Sequence, residues 1–191
     1  MPAEPIPTES CCSRNSNMPR HYPAVEITAD MIAAAEDVAS AIRVLRTQAS
    51  PIDTLAGALG EYAFAQYFYG DWRRNRVGAN KGQSDFDGIE IKTSAFPFDE
   101  NRLHLLVRED YGRKRKPPFY VQIILDVADG HALSIPAGTM AFICGYATGD
   151  EVAAAPLRDF GAKSGAPGGY RCFYIPISQL HPVEELRLLR R

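Results

Sequence analysis

The chain is short of cysteine, histidine and long apolar runs, and each shortage closes off a class of protein. Its four cysteines stand as Cys11-Cys12, Cys144 and Cys172, with no Cys-x-x-Cys pair. That spacing describes neither a disulfide framework nor a thiolate zinc site. The four histidines, His21, His104, His131 and His181, have no histidine or cysteine three or four residues away, which removes the helical zinc motifs. The longest apolar runs fall far below the roughly 20 residues of a membrane helix, and the N-terminus has no apolar signal core. The expectation is an intracellular, cytoplasmic location without a membrane partner. Neither sign of charge dominates: 21 Lys and Arg face 23 Asp and Glu, a formal net charge of −2. A nucleic-acid coat protein would carry an overall basic footprint, whereas an enzyme with a local basic cleft needs none. The Gly-x-Ser-x-Gly elbow, the dinucleotide glycine fingerprint and the Walker A loop are all absent.

What is present suits one α/β domain. The 191 residues, 46% of them hydrophobic, are enough for a substantial core. Residues 1–24 carry proline, serine and asparagine without periodicity and read as a disordered leader, leaving 25–191 as a single domain. Thr28 is placed to cap a helix over 29–47, with Met31, Ala35, Val38, Ile42 and Leu45 as its apolar stripe. A second helix runs from Asp53 to Tyr69 and is apolar nearly all round. Its single charge between Asp53 and Asp71 is Glu61, among small and apolar neighbours one turn away. A buried carboxylate is costly unless it is paired or binds metal; Glu61 is therefore either a ligand or an acid that reaches an arginine or the surface.

The centre of the chain is Ser84-Asp85-Phe86-Asp87-Gly88-Ile89-Glu90-Ile91-Lys92-Thr93. Asp87-Gly88 is a two-residue hairpin signal, since both turn positions require positive φ. Such a turn pairs Phe86 with Ile89 and sets Asp85 across from Glu90, roughly 4.5–5.5 Å apart at Cβ. Strand alternation then points Lys92 to the face of Glu90, and Ile89 and Ile91 into a core. Like charges opposite one another destabilise a sheet, and a hard divalent cation is the simplest reason to keep them.

Asp85 followed by Glu90-Ile91-Lys92 resembles the core of the PD-(D/E)XK nuclease superfamily, and no other acid-x-Lys triplet occurs in the chain. Gly60-Glu61, on a helix ahead of the core strands, is similar to the helical acid of many members. Ser84 stands where the motif has proline. The resemblance implies a restriction-endonuclease-like αβββαβ core, a mixed central sheet flanked by helices, and covers residues 53–127 with motif support. It implies a nuclease hydrolysing DNA to 5′-phosphate and 3′-hydroxyl ends. Asp85, Glu90 and the Ile91 carbonyl would hold Mg²⁺ (or Mn²⁺), Glu61 would complete the shell, and Lys92 would assist the attacking water. Asp87 is an alternative ligand, although turn chemistry explains it.

Further strands are expected over Trp72–Val77, Arg102–Val107, Phe119–Val127, Met140–Tyr146 and Arg171–Pro176, the last closing the sheet. Thr148-Gly149-Asp150-Glu151 is a capping box opening a short helix. Candidates for substrate contact are Arg73 and Arg74 on the first of those strands, Lys81 in the loop before the hairpin, Gln122 on the strand after Glu90-x-Lys92, and the run Arg113-Lys114-Arg115-Lys116. Arginines on an edge strand also serve against aggregation, and a four-residue basic run is also an ordinary solvated loop. A homodimer or larger nucleoprotein complex fits a small nuclease cutting both strands. The competing readings are a non-catalytic nucleic-acid-binding or assembly protein on the same fold, and an α+β domain whose acidic turn has no active site.

Overall fold

The computed structural model describes residues 20–41, 51–75, 84–114, 116–130, 133–159 and 171–189. Its elements, in chain order, are β1 (Ala24–Glu26), α1 (Ala29–Ala41), α2 (Pro51–Tyr69), a 3-10 turn (Trp72–Arg74), β2 (Ile89–Phe96), β3 (His104–Arg108), α3 (Glu109–Lys114), β4 (Phe119–Asp126), β5 (Met140–Thr148), α4 (Gly149–Ala154), β6 (Leu157–Asp159), β7 (Arg171–Pro176), a second 3-10 turn (Ile177–Gln179) and α5 (Val183–Leu188).

This is a mixed α/β architecture. A four-stranded mixed sheet has the order β1-β5-β4-β2, with β2 parallel to β4 and the other pairs antiparallel. A separate antiparallel sheet has the order β3-β7-β6. β4 is flanked on both sides, and its residues from Tyr120 to Leu125 are all buried, which accounts for its near-continuous apolar run. Alternation divides its side chains between two cores. Val121, Ile123 and Leu125 join Ile89 and Ile91 of β2 beneath Leu59, Ala63 and Phe64 of α2. Tyr120 and Ile124 face the other way, toward Leu105, Val107, Val152 and Ile177. The β4–β5 register shifts after Gln122, so that Gln122 lies beside Gly145 and Ile123 beside Ile143. Cys144 is the extra residue of this bulge, buried and held as an unreactive thiol by that burial.

Several expected elements take a different form. Trp72–Val77 is not a strand where it is described: Trp72–Arg74 form a 3-10 turn, because the Asp71 carboxylate accepts from Arg73 N at 3.0 Å and caps it locally. Arg171–Pro176 is a strand, yet it lies in the second sheet, between β3 and β6. β3 leaves for that sheet as well, so the strands after α2 do not succeed one another in one sheet. Arg113 and Lys114 belong to a short helix closed by an Arg113–Glu109 pair at 2.7 Å, rather than to a loop. Of the expected leader, residues 1–19 lie outside the described residues. Its end is anchored: Arg20 donates to the carbonyls of Ile177, Ser178 and Leu180, and Tyr22 to Glu100 at 2.8 Å. The Thr148/Glu151 capping box is present in full. No helix among the described residues is long and apolar enough to cross a membrane.

Candidate active site

The Asp87-Gly88 turn forms as its chemistry requires. Phe86 and Ile89 exchange both backbone hydrogen bonds at 3.0 Å, and Gly88 has a φ of 73°, a region open to glycine and costly for most side chains. Pairing stops after that single bridge. Asp85 does not become the strand partner of Glu90. Its carboxylate Oδ2 instead accepts from Ile91 N at 2.8 Å, taking the place a backbone carbonyl would occupy in the next rung. β2 is the outermost strand of its sheet, so the acid satisfies a donor on an otherwise open edge. A residue's N–H and C=O leave a strand on the same side, so the Ile91 carbonyl shares this edge with Asp85.

Glu90 and Lys92 point to the opposite face from Ile89 and Ile91, as alternation demands, and lie in register with Tyr120 and Gln122. The Lys92 ammonium donates to Glu90 Oε1 at 2.8 Å. Burial, and after it the neighbouring Glu90 charge, raise the Tyr120 phenol to about 12. Gln122 is buried beside Lys92, and its amide donates to the Ile123 carbonyl at 2.9 Å.

Glu61 comes to the site from α2. Burial first, then the charges of Asp85 and Glu90, raise its carboxyl to about 8 against the opposing pull of the Asn75 hydrogen bond and Lys92. The four predicted groups Glu61, Asp85, Glu90 and Lys92 therefore share one electrostatic neighbourhood. Asn75 is the residue the sequence does not reveal: 8% exposed, it donates Nδ2 to Glu61 Oε2 at 2.7 Å. It follows directly on the 3-10 turn, and only the shape of that turn brings it there.

Gly60 sets how closely α2 approaches β2. A Cβ at this position would overlap Thr93 Oγ1 and lie 2.8 Å from Thr93 Cβ and Cγ2. Helix and strand thus meet at van der Waals distance beside the acid set, and the Thr93 hydroxyl is buried there without a hydrogen-bond partner among the described residues.

The donors are all oxygen, which suits a hard divalent cation such as Mg²⁺ rather than a thiophilic metal. Glu61, driven toward its neutral form, feels the charges of Asp85 and Glu90, a field that a cation would relieve. Their spacing is open: no three His, Cys, Asp or Glu side chains among the described residues form a ready-made metal cage. The weaker candidates divide. Arg73 and Arg74 sit on the turn next to Asn75 and are exposed. Arg113 and Lys114 lie on α3, which packs against β3, β7 and α4, and among the described residues neither is joined to the acid set by a hydrogen bond or ion pair. Lys116 is exposed; Lys81 and Arg115 lie outside the described residues. Compared with protein-family models, curated proteins and solved structures, the chain has no match.

Proposed function

We propose that this chain is a divalent-metal-dependent phosphodiesterase that hydrolyses DNA, with the restriction-endonuclease-like arrangement its motif suggests. The observation that carries the reading is the arrival of Glu61, from a separate helix, in the field of Asp85, Glu90 and Lys92. A structural carboxylate in an apolar helix would be expected to meet a single cation; this one meets two further acids and an asparagine as well as the Lys92 charge.

In this reading Asp85, Glu90 and the Ile91 carbonyl hold the ion, and Glu61 completes the shell directly or through water. A bound Mg²⁺ supplies charge stabilisation for the phosphorane-like transition state and a more acidic water. Asp85 is fixed by the Ile91 N–H, so its carboxylate does not have to be ordered on binding. Glu90 is held by Lys92; with an ion at the carboxylates, the Lys92 ammonium would orient the attacking water and, as a neighbouring positive charge, favour loss of that water's proton to solvent. Asn75 holds one oxygen of Glu61 and so limits its rotamers. Cleavage is expected to leave 5′-phosphate and 3′-hydroxyl ends.

The Glu90–Lys92 pair supports a second reading. If it persists in the presence of ions, Glu90 is neutralised and the protein is a non-cutting nucleic-acid-binding or assembly subunit. Lys92→Ala separates the two. The nuclease reading expects plasmid cleavage in Mg²⁺ to fall by about a hundredfold or more; full cleavage by the variant would end the assignment.

A further inference from the structure

The 3-10 turn that follows α2 carries two arginines lying over aromatic rings. The Arg73 guanidinium carbon is 4.3 Å from the Trp72 ring centroid, and that of Arg74 is 4.9 Å from the Tyr69 centroid. Both stacks lead back to the acid set. The Tyr69 ring stands 5.9 Å from that of Phe86, whose chain neighbour is Asp85. The Trp72 ring meets Tyr62 edge-on at 5.0 Å, and Tyr62 follows Glu61. Asn75, which ends the same turn, holds Glu61.

The guanidiniums have little else to do. Arg73 lies 3.6 Å from Asp30, but both side chains are largely exposed, and such pairs contribute little. The Arg74 guanidinium has no ion pair or hydrogen bond among the described residues. Arg187 also lies over the rings of Tyr67 and Phe68, yet it is committed to the Tyr67 carbonyl at the helix end, where a cation is favoured without any ligand.

An arginine that only neutralises phosphate needs no ring beneath it. A guanidinium flattened on a ring offers its outer face as a plane on which a base can stack, while its N–H edges remain available to phosphate oxygens. Bases inside a duplex are already stacked and cannot use such planes, and a duplex footprint asks for many spread cations. A single strand suits planar platforms with few charges.

We propose that Arg73 on Trp72 and Arg74 on Tyr69 form a stacking platform for an unpaired DNA strand flanking the phosphate held at the acid set. The position of that phosphate rests on the nuclease reading; strand binding itself does not require cleavage.

Fluorescence anisotropy of the full chain in EDTA, with labelled oligo(dT) and a duplex of equal length, tests this, alongside Mn²⁺ calorimetry on the same preparations. Oligo(dT) is expected to bind more tightly than duplex. Arg74→Ala should weaken oligo(dT) binding by about tenfold and leave Mn²⁺ uptake unchanged, which also certifies the fold. Arg74→Lys keeps the charge but loses the plane, and should reproduce most of the loss. Equal or tighter duplex binding, or Arg74→Lys binding as wild type does, would overturn the platform. A protein that holds oligo(dT) through Arg74 but takes up no Mn²⁺ keeps the platform and loses the nuclease reading. Mn²⁺ uptake and cleavage with no dependence on Arg73 or Arg74 would remove the platform alone.

Discussion

Replacing Glu61 with glutamine isolates the electrostatic load at the acid set without changing the shape of the side chain. The glutamine carbonyl can still accept from Asn75 Nδ2, so the hydrogen bond at 2.7 Å survives. What is lost is the ionisable proton. A carboxyl with an ordinary value of 4.5 held up at about 8 corresponds to at most about 5 kcal/mol, at 1.36 kcal/mol per pH unit. Water reaches part of the side chain, so about 2 kcal/mol is the expected effect. The sign follows from which state holds the proton. Well below pH 4.5 the group is protonated in both folded and unfolded protein and contributes nothing. Between 4.5 and about 8 the unfolded chain gives up the proton and the folded protein keeps it, so stability falls as pH rises, then levels off. Urea unfolding in EDTA at pH 5 and pH 9 should show wild type losing about 2 kcal/mol more than Glu61→Gln across that interval. The variant should be the more stable protein at pH 9. Parallel pH dependences, or a variant weaker than wild type at pH 9, would refute the placement of Glu61 among like charges.

Three glycine substitutions test the framework of the fold. At Gly60 the helix preference for alanine, about 1 kcal/mol, opposes an overlap with Thr93 of the kind that costs about 1–3 kcal/mol. Gly60→Ala should therefore destabilise in thermal melts and weaken Mn²⁺ binding by displacing Glu61, whereas Gly57→Ala, with nothing within 4 Å, should be neutral or stabilising. Gly145→Ala combines a φ of 125° with a Cβ that would overlap the His181 carbonyl oxygen, and a loss of about 2 kcal/mol or more in urea unfolding is expected.

Local signals in the sequence carry through to the structure, and long-range ones do not. The Asp87-Gly88 turn, the Thr148/Glu151 box, the span of α2 and the buried run of β4 are each set within a few residues, by φ requirements, capping or apolar pattern. The failures concern partners. Asp85 and Glu90 lie at the right spacing to pair, but a carboxylate that bonds the Ile91 N–H ends the ladder one rung early. Trp72–Val77 has strand-forming residues, yet Asp71 offers its first turn a cap. β3 and β7 are recognisable as strands; nothing in either says that they pair with each other rather than with β4. Asn75 and Thr93 are ordinary polar residues until the 3-10 turn carries Asn75 to Glu61 and the close approach that Gly60 permits sets α2 against Thr93. Glu61 was legible because it is the one charge on an apolar helix, a conflict visible without a structure.

The central claim is that Glu61, Asp85 and Glu90 form a metal-dependent phosphodiesterase centre, and metal binding tests it most directly. Calorimetric titration of Mn²⁺ into wild type and Glu90→Ala, with plasmid and single-stranded DNA cleavage on the same samples, gives the measurement. The account predicts that wild type binds Mn²⁺ and cleaves, and that Glu90→Ala does neither. Wild type that neither binds Mn²⁺ nor cleaves would contradict it, as would a Glu90→Ala protein that still does both.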